Sequence, residues 1–338
     1  MNLVSINIVN WNGLQCLGDC IESIKVQTYE NIEINIIDNN SADGSVDLIK
    51  MKYPEVRLIK NIQNEGFSKA HNQAIRISSG EFILPLNFDI ILDPKFIEEM
   101  VKAIEYSPEI GVVSGRLYAV GNGIQKNIID STGIVMKGMF PADRGSNQVD
   151  SEQYGHMEYV FGASGAAPLL RRQMLEEIAL DGEYFDEDFY IYVEDVDLCW
   201  RAQLFGWKAR YTPKAIAYHR RGTTRENNSE MLETYVIWGN RNRYWSIIKN
   251  AILFNLLRNS LWILLFELWF YVGHLLEGNY FILGTFPMVI KGIPRMLRKR
   301  RVIQKRRKVC AEYMEKFFFG DIRPMAKRYI TCIFKQKV

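Results

Sequence analysis

The chain has 338 residues, of which 48% are hydrophobic and 12% aromatic; this excludes a disordered protein and allows one large domain or two ordinary ones. Its net charge of +3 conceals a division: residues 239–338 hold 20 Lys/Arg and 5 Asp/Glu, a balance of +15, which leaves −12 on the remainder. An acidic body with a basic tail predicts an anionic partner for the tail. The five cysteines (Cys16, Cys20, Cys199, Cys310 and Cys332) are scattered. No second Cys/His pair completes a zinc site beside Cys16 and Cys20, so free thiols in a reducing compartment are expected. The N-terminus enters an apolar run at once, with no basic n-region or small-residue cleavage site. No signal peptide is expected, and the catalytic part is placed in the cytosol.

In chain order, Leu3 to Asn10 reads as a strand closed by the turn Asn10-Trp11-Asn12-Gly13. Leu14, Leu17, Ile21 and Ile24 recur at helical spacing. A second strand, Ile32 to Ile37, ends in the polar run Asp38 to Ser45, followed by a helix over Val46 to Met51. A third strand (Val56 to Ile59), a helix (Phe67 to Ile77) and a fourth strand (Phe82 to Leu86) follow. Asn87-Phe88-Asp89 comes next, and Asp93-Pro94 is the expected start of another helix. Strands alternating with helices of this length predict an α/β fold with a mostly parallel sheet. Ligands of such sheets sit beyond the carboxyl ends of the strands, where Asn10, Asp38, Asn64 and Asp89 fall. After the strand at Ile110–Tyr118 the alternation breaks, and residues 119–170 suit an irregular or antiparallel second half. A return strand ends at His219, which two arginines follow. Composition changes near residue 240, where a boundary is expected.

The densest chemistry lies in residues 185–201, which pack six carboxylates between Asp186 and Asp197 among aromatic residues. Crowded acids beside apolar neighbours need cations, protons or hydrogen bonds to persist. Three of them, Glu194, Asp195 and Asp197, also open a helix, where negative charge complements the dipole. Asp197 and Arg201 are spaced to meet on that helix, so Asp197 reads as structural. Asp38 is suited equally to a ligand's hydroxyl groups and to an Asx turn.

Seven segments then arrive in an order that resembles glycosyltransferase family 2, inverting nucleotide-sugar transferases of the GT-A fold, and particularly its rhamnosyltransferase-like branch. They are Ile8-Val9-Asn10-Trp11-Asn12; Ile37 to Ser41 with Asp43-Gly44-Ser45; Asn64-Glu65-Gly66-Phe67 with Ala70 and Asn72; Asn87-Phe88-Asp89; Gly162 to Ala166; Phe185 to Arg201; and Tyr218-His219-Arg220. The resemblance covers roughly residues 2–245. It implies a GT-A domain over 1–240, with a nucleotide-binding half (1–118) and an acceptor and catalytic half (119–240), then a helical, basic region over 241–338. It implies that Asn10, Asp38 and Asn64 hold the nucleoside, and Arg220 or Arg221, which follow His219, suit the phosphate oxygens of the donor. Asp89 and His219 would hold Mg²⁺ or Mn²⁺, and Asp195 would be the general base. Asn87, where many members carry aspartate, removes one charge from the metal site, and Phe88 departs from the usual middle residue.

The implied partners are a nucleotide-sugar donor, with dTDP-rhamnose favoured, and a saccharide or polyprenyl-linked saccharide acceptor of cell-surface polysaccharide synthesis. A sugar nucleotidyltransferase is the alternative, but no early Gly-rich basic phosphate loop is present. A dinucleotide oxidoreductase lacks its G-x-G-x-x-G. A non-catalytic glycan-binding scaffold on the same fold is the third reading.

In the tail, residues 251–290 are apolar but interrupted by Arg258, Glu267 and Glu277. Ser260, Glu267 and His274 share one side of a predicted helix, and Leu261, Leu264, Leu265, Leu268, Val272 and Leu275 another. With the following run of Arg and Lys from Arg295 to Lys308, this predicts a helix lying on an anionic membrane surface at the cytoplasmic face, with no full crossing. A homodimer interface is the competing use of the same stripe. Nucleic acid is not expected, because the aromatics do not interleave with the basic run.

Overall fold

A computed structural model describes residues 1–120, 127–220 and 229–318. Arg221 and Cys332 lie outside the described residues. The first half alternates as the sequence predicts: β1 (Val4–Asn10), α1 (Leu14–Lys25), β2 (Ile32–Asp38), α2 (Ser45–Lys52), β3 (Arg57–Lys60), α3 (Gly66–Ile77) and β4 (Phe82–Asn87). The helix expected from Asp93-Pro94 starts later. β5 (Ile90–Leu92) precedes it, and α4 runs over Phe96–Glu105, with the Asp93 side chain accepting from the Lys95 N–H at 3.2 Å. Next come β6 (Ile110–Ala119), β7 (Ile129–Ser131), β8 (Ile134–Lys137), β9 (Phe140–Asp143), β10 (Glu158–Val160) and β11 (Leu169–Arg171). This part of the chain closes with α5 (Arg172–Ile178), α6 (Glu194–Leu204) and β12 (Lys208–His219).

The large sheet has the order β10-β12-β6-β11-β4-β1-β2-β3. β3, β2, β1 and β4 are parallel neighbours, and β6 is parallel to β12. Three-residue β11 joins these two groups and is antiparallel to both. On one side of the sheet, alternate residues of β1, β2 and β4 (Ile6, Ile8, Ile36, Leu84 and Leu86 among them) share a core with Leu17 and Ile21 of α1 and Ile97 and Ile104 of α4, while Ser5, Asn7 and Asn35 take the positions between. Register fixes the site: Asn10 is the partner of Asp38, Val9 of Asn87, and Ile90 of His219.

The expected boundary at residue 240 falls inside one continuous helix, α7 (Ser229–Asn250). α8 (Leu253–Leu276), α9 (Thr285–Arg306) and α10 (Ala311–Phe318) complete the described chain. Gly292 of α9 packs so closely on Trp245 of α7 that a Cβ there would lie 2.4 Å from the indole. The composition shift therefore marks a change of surroundings and not a break in packing.

Candidate active site

The acidic block divides in two. Asp186, Asp188 and Asp197 face the last helices of the chain. Lys249 of α7, itself fully buried, pairs with Asp186 and, at 2.9 Å, with Asp197. Lys299 of α9 reaches Asp186 at 2.5 Å and Asp188 at 3.0 Å, and Arg295 also meets Asp188 at 3.0 Å. Asp197 further holds Arg201 at 3.0 Å and accepts from Asn250 at 2.7 Å, as a structural residue should. Burial alone would raise the Asp186 carboxyl, but the two lysines hold it well below the usual range. Part of the basic tail thus has its partners within the same chain: Lys249, Arg295, Lys299 and Lys308 pair with carboxylates, while Arg300 donates to the Ile248 and Ala251 carbonyls and Arg306 to those of Glu177 and Ala179.

Asp195 is held differently. Its Oδ2 accepts from the Gly165 N–H at 2.7 Å and its Oδ1 from the Val196 N–H at 2.7 Å. Burial, with the nearby Asp143 charge adding to it against these hydrogen bonds, pushes its carboxyl up to about 6. A base near the working pH combines the right protonation state with driving force. The neighbouring Glu194 is buried, with an Oε2 that has no partner, and desolvation raises its pKa well above the usual value. Glu194 is enclosed and Asp197 is ion-paired, whereas Asp195 is the least enclosed of the three.

Before α6 the backbone is strained: Tyr190, Tyr192 and Val193 have φ of 61°, 70° and 68°. Such angles in β-branched and aromatic residues persist only where surroundings enforce them. Asn242 of α7 does so, donating to the carbonyls of Phe189, Ile191 and Tyr192 at 2.8, 2.9 and 2.8 Å. Tyr190 also closes over Gly66, whose φ is +77° and whose Cβ would strike the tyrosine ring at 2.5 Å. That approach explains glycine at the start of α3.

At the strand ends, His219 Nε2 lies 3.4 Å from Asp89 Oδ1, and Nδ1 lies 2.8 Å from Asp130 Oδ2. Burial opposes charge on the ring, but hydrogen bonds to Asp130 and Asp89 outweigh it and raise His219 to about 9. Asp130 on β7 carries no motif, and no sequence signal pointed to it. The donor set suits a hard divalent ion. Asp89 and His219 offer an oxygen and a nitrogen, and Asp130 can hold the other ring nitrogen, the arrangement in which a carboxylate orients a metal-bound histidine. No set of three or more ligating side chains is grouped among the described residues. The remaining ligands would be substrate phosphates and water, as is usual for Mg²⁺.

The nucleoside residues are placed as neighbours, but they chiefly hold one another. Asn10 donates to Asp38 at 2.8 Å and to Ser45 at 2.8 Å, and Asp38 Oδ2 accepts from the Ser41 N–H at 3.0 Å. Both are fully buried, so Asp38 shapes the 39–45 turn and offers no direct face to a ligand in this arrangement. Asn64 accepts from the Gly66 N–H at 2.9 Å. Arg220 turns toward α1, pairing with Asp19 at 2.8 Å, while its backbone N–H donates to the Asp89 carbonyl at 3.0 Å. Through that bond it buttresses the Asp89 turn, and its guanidinium is engaged by Asp19.

The family described as Glycosyl transferase family 2 matches residues 5–178. The chain is 25% identical over 250 residues to an N-acetylglucosaminyl-diphospho-decaprenol L-rhamnosyltransferase of Mycobacterium tuberculosis, spanning 67% of this chain and 80% of that protein. It is 26% identical over 235 residues to protein y4gI of Sinorhizobium fredii, spanning 66% of this chain but only 25% of y4gI. Among solved structures it resembles a mannosyltransferase of Pyrobaculum calidifontis in complex with GDP-Man and Mn²⁺. The TM-score is 0.52 at 14% identity, covering 90% of this chain and 74% of that one, and this likeness speaks to the fold.

Proposed function

This chain belongs to glycosyl transferase family 2 and is an inverting glycosyltransferase, and from that premise we propose that it moves a sugar, with dTDP-rhamnose the favoured donor, onto a saccharide carried by a polyprenyl lipid at the cytoplasmic membrane face. The observation that carries the reaction is Asp195, a carboxyl raised to about 6 and held by two backbone N–H groups at the head of α6. As the acceptor hydroxyl attacks, Asp195 takes its proton from the face opposite the leaving group, which inverts the sugar carbon. Asp89 and His219 would hold a divalent cation, whose charge would offset that of the departing diphosphate. Asp130 fixes the His219 ring through Nδ1. Asn10, Asp38 and Asn64 act on the nucleoside through the loops they hold, and a direct Asp38 contact requires the 39–45 turn to shift. The rhamnosyl donor is favoured by the mycobacterial relative's own name.

Membrane attachment is supported by α8, which is inside out for a water-soluble helix. Its polar Asn255 and Asn259 are buried, and Glu267 is tied to Arg243 of α7 at 2.7 and 3.1 Å. Its exposed side carries Leu257, Leu261, Trp262, Leu264, Leu268 and Trp269, each about half or more exposed. Ser260, expected beside Glu267, lies on the exposed side. With 24 residues and a mean hydropathy of 1.3 the helix has the length and composition to cross a bilayer, but its polar side is pinned to the catalytic body along that length. It therefore lies with its apolar side in the interface. Melting shifts with dTDP, UDP and GDP, each with Mn²⁺, test the donor. A ligand at about 100 times its dissociation constant stabilises by about 2.7 kcal/mol, and a larger response to GDP or UDP than to dTDP overturns the favoured donor. Nucleotide release on adding lipid-linked saccharide tests the transfer.

A further inference from the structure

Between α7, α8 and the start of β9 lies a cavity of about 390 Å³. Phe140, Tyr192, Val193, Tyr235, Phe266 and Phe270 line it, and Gly239 leaves its wall low. Its size falls in the range of small-molecule sites, and its lining is largely aromatic and apolar. The polar groups beside it are already satisfied. Arg243 is bound in bidentate fashion by Glu267, and the Asn240 amide donates to the Tyr271 hydroxyl at 2.9 Å. Water gains little there, and an apolar occupant gains the area it buries.

Two features of position decide what that occupant is. The outer wall belongs to α8, through Phe266 and Phe270, whose opposite side is the exposed apolar surface. The inner wall is Tyr192-Val193, the two residues that immediately precede Glu194-Asp195. The groove therefore joins the lipid-facing helix to the base that must meet the acceptor hydroxyl. We infer that it seats the prenyl chain of the acceptor next to its headgroup, so that the lipid directs its saccharide to Asp195. Flat aromatic faces such as Phe140, Tyr192 and Tyr235 match the planar, methyl-branched units of a prenyl chain better than a thin acyl chain. This rests on the transferase reading for the identity of the acceptor, but not for the existence of the site.

Gly239→Leu fills the groove from α7. A Cβ at Gly239 meets nothing closer than 3.9 Å, and leucine favours a helix more than glycine does. Val236→Trp fills the same groove from one turn earlier. Geranylgeranyl diphosphate in detergent, titrated by tryptophan fluorescence, should bind the wild type saturably and both variants at least tenfold more weakly. An unchanged melting response to nucleotide confirms that the variants are folded. In assays of transfer, the ratio of kcat/KM for a prenyl-diphosphate-linked saccharide to that for its methyl glycoside should fall at least tenfold in the variants. Absence of prenyl binding by wild type, equal binding by the filled variants, or equal preference for an acyl-linked saccharide of the same carbon number overturns the inference. Prenyl binding that the two variants lose, in a protein that transfers no sugar from any donor, leaves the groove standing and removes the transferase reading.

Discussion

Two sets of carboxylates lie within a dozen residues of each other, and their surroundings give them opposite work. Asp186 and Asp197 are fully enclosed and answered by lysines from helices made later in the chain. Asp195 has two backbone N–H groups and, among its described partners, no cation. The first arrangement fixes ionisation and lends rigidity. The second leaves a carboxyl whose proton is easily exchanged near neutrality. A crowded acidic sequence is thus no single signal, because each acid's role depends on what the tertiary structure sets against it.

The sharpest way to break this contrast is Asp195→Asn, which should lower kcat by about 10²–10⁴ with nucleotide affinity at the wild-type value, and should lower urea stability by only about 1–3 kcal/mol because one of the two backbone N–H groups loses its acceptor. Wild-type turnover would return the role of base to Glu194 or Asp197. Lys249→Met should do the reverse. Removing one partner of a buried ionic cluster costs about 3–5 kcal/mol, measured by urea unfolding at pH 7. That stabilisation has a definite pH window. The Asp186 pKa is depressed in the fold, so its contribution is present above the unfolded carboxylate value near pH 4 and is lost as pH falls through the lower folded value. A Lys249→Met protein as stable as wild type at pH 7 would mean that the cluster is not ionised as described.

Asp89→Ala and His219→Ala should each weaken Mn²⁺-dependent binding of a nucleoside diphosphate more than binding of the nucleoside, by calorimetry. Equal losses of both would remove them from the metal site. For Asp195, catalysis requires the ionised form, so kcat should be level above about pH 6 and fall tenfold per unit below it. Asp143→Asn removes a like charge and should move that acid limb to lower pH; an unmoved limb would mean that the limb reports another group. The smallest effect is expected from Gly165→Ala. Its Cβ would stand 3.3 Å from Asp195 Cβ and 3.4 Å from Oδ2, a shift of a few tenths of an ångström that should lower kcat by less than about tenfold.

The first half of the fold was legible because β1 through β4 and the helices between them are built from local periodicity, and their register carries Asn10, Asp38 and Asn87, two residues before Asp89, to one edge. The reversal at β11 was not legible, since three residues between longer strands carry no periodicity. Asp195 and His219 could be read from motifs, whereas Asp130 could not: it meets His219 across 89 residues with no shared spacing. The basic tail was misread in part for the same reason. Charge totals record that Lys249, Arg295 and Lys299 are cationic, but only packing shows that their anions are Asp186, Asp188 and Asp197.

The lysine bridge from Lys299 back to Asp186 spans 113 residues, and proteins are made from one end. At about 5–20 residues per second, the ribosome adds Lys299 roughly 6–23 s after Asp186. Throughout that interval the 185–201 loop has its acids but not all of its counter-charges, and the apolar α8 is added only in the later part of it. Chains arrested on the ribosome before residue 299 should therefore be cut by protease within residues 185–201, and chains extended past α9 should resist. Equal resistance in both would mean that the bridge forms after the site has already set. On this timetable the acidic loop is fully paired only once the apolar α8 has been made.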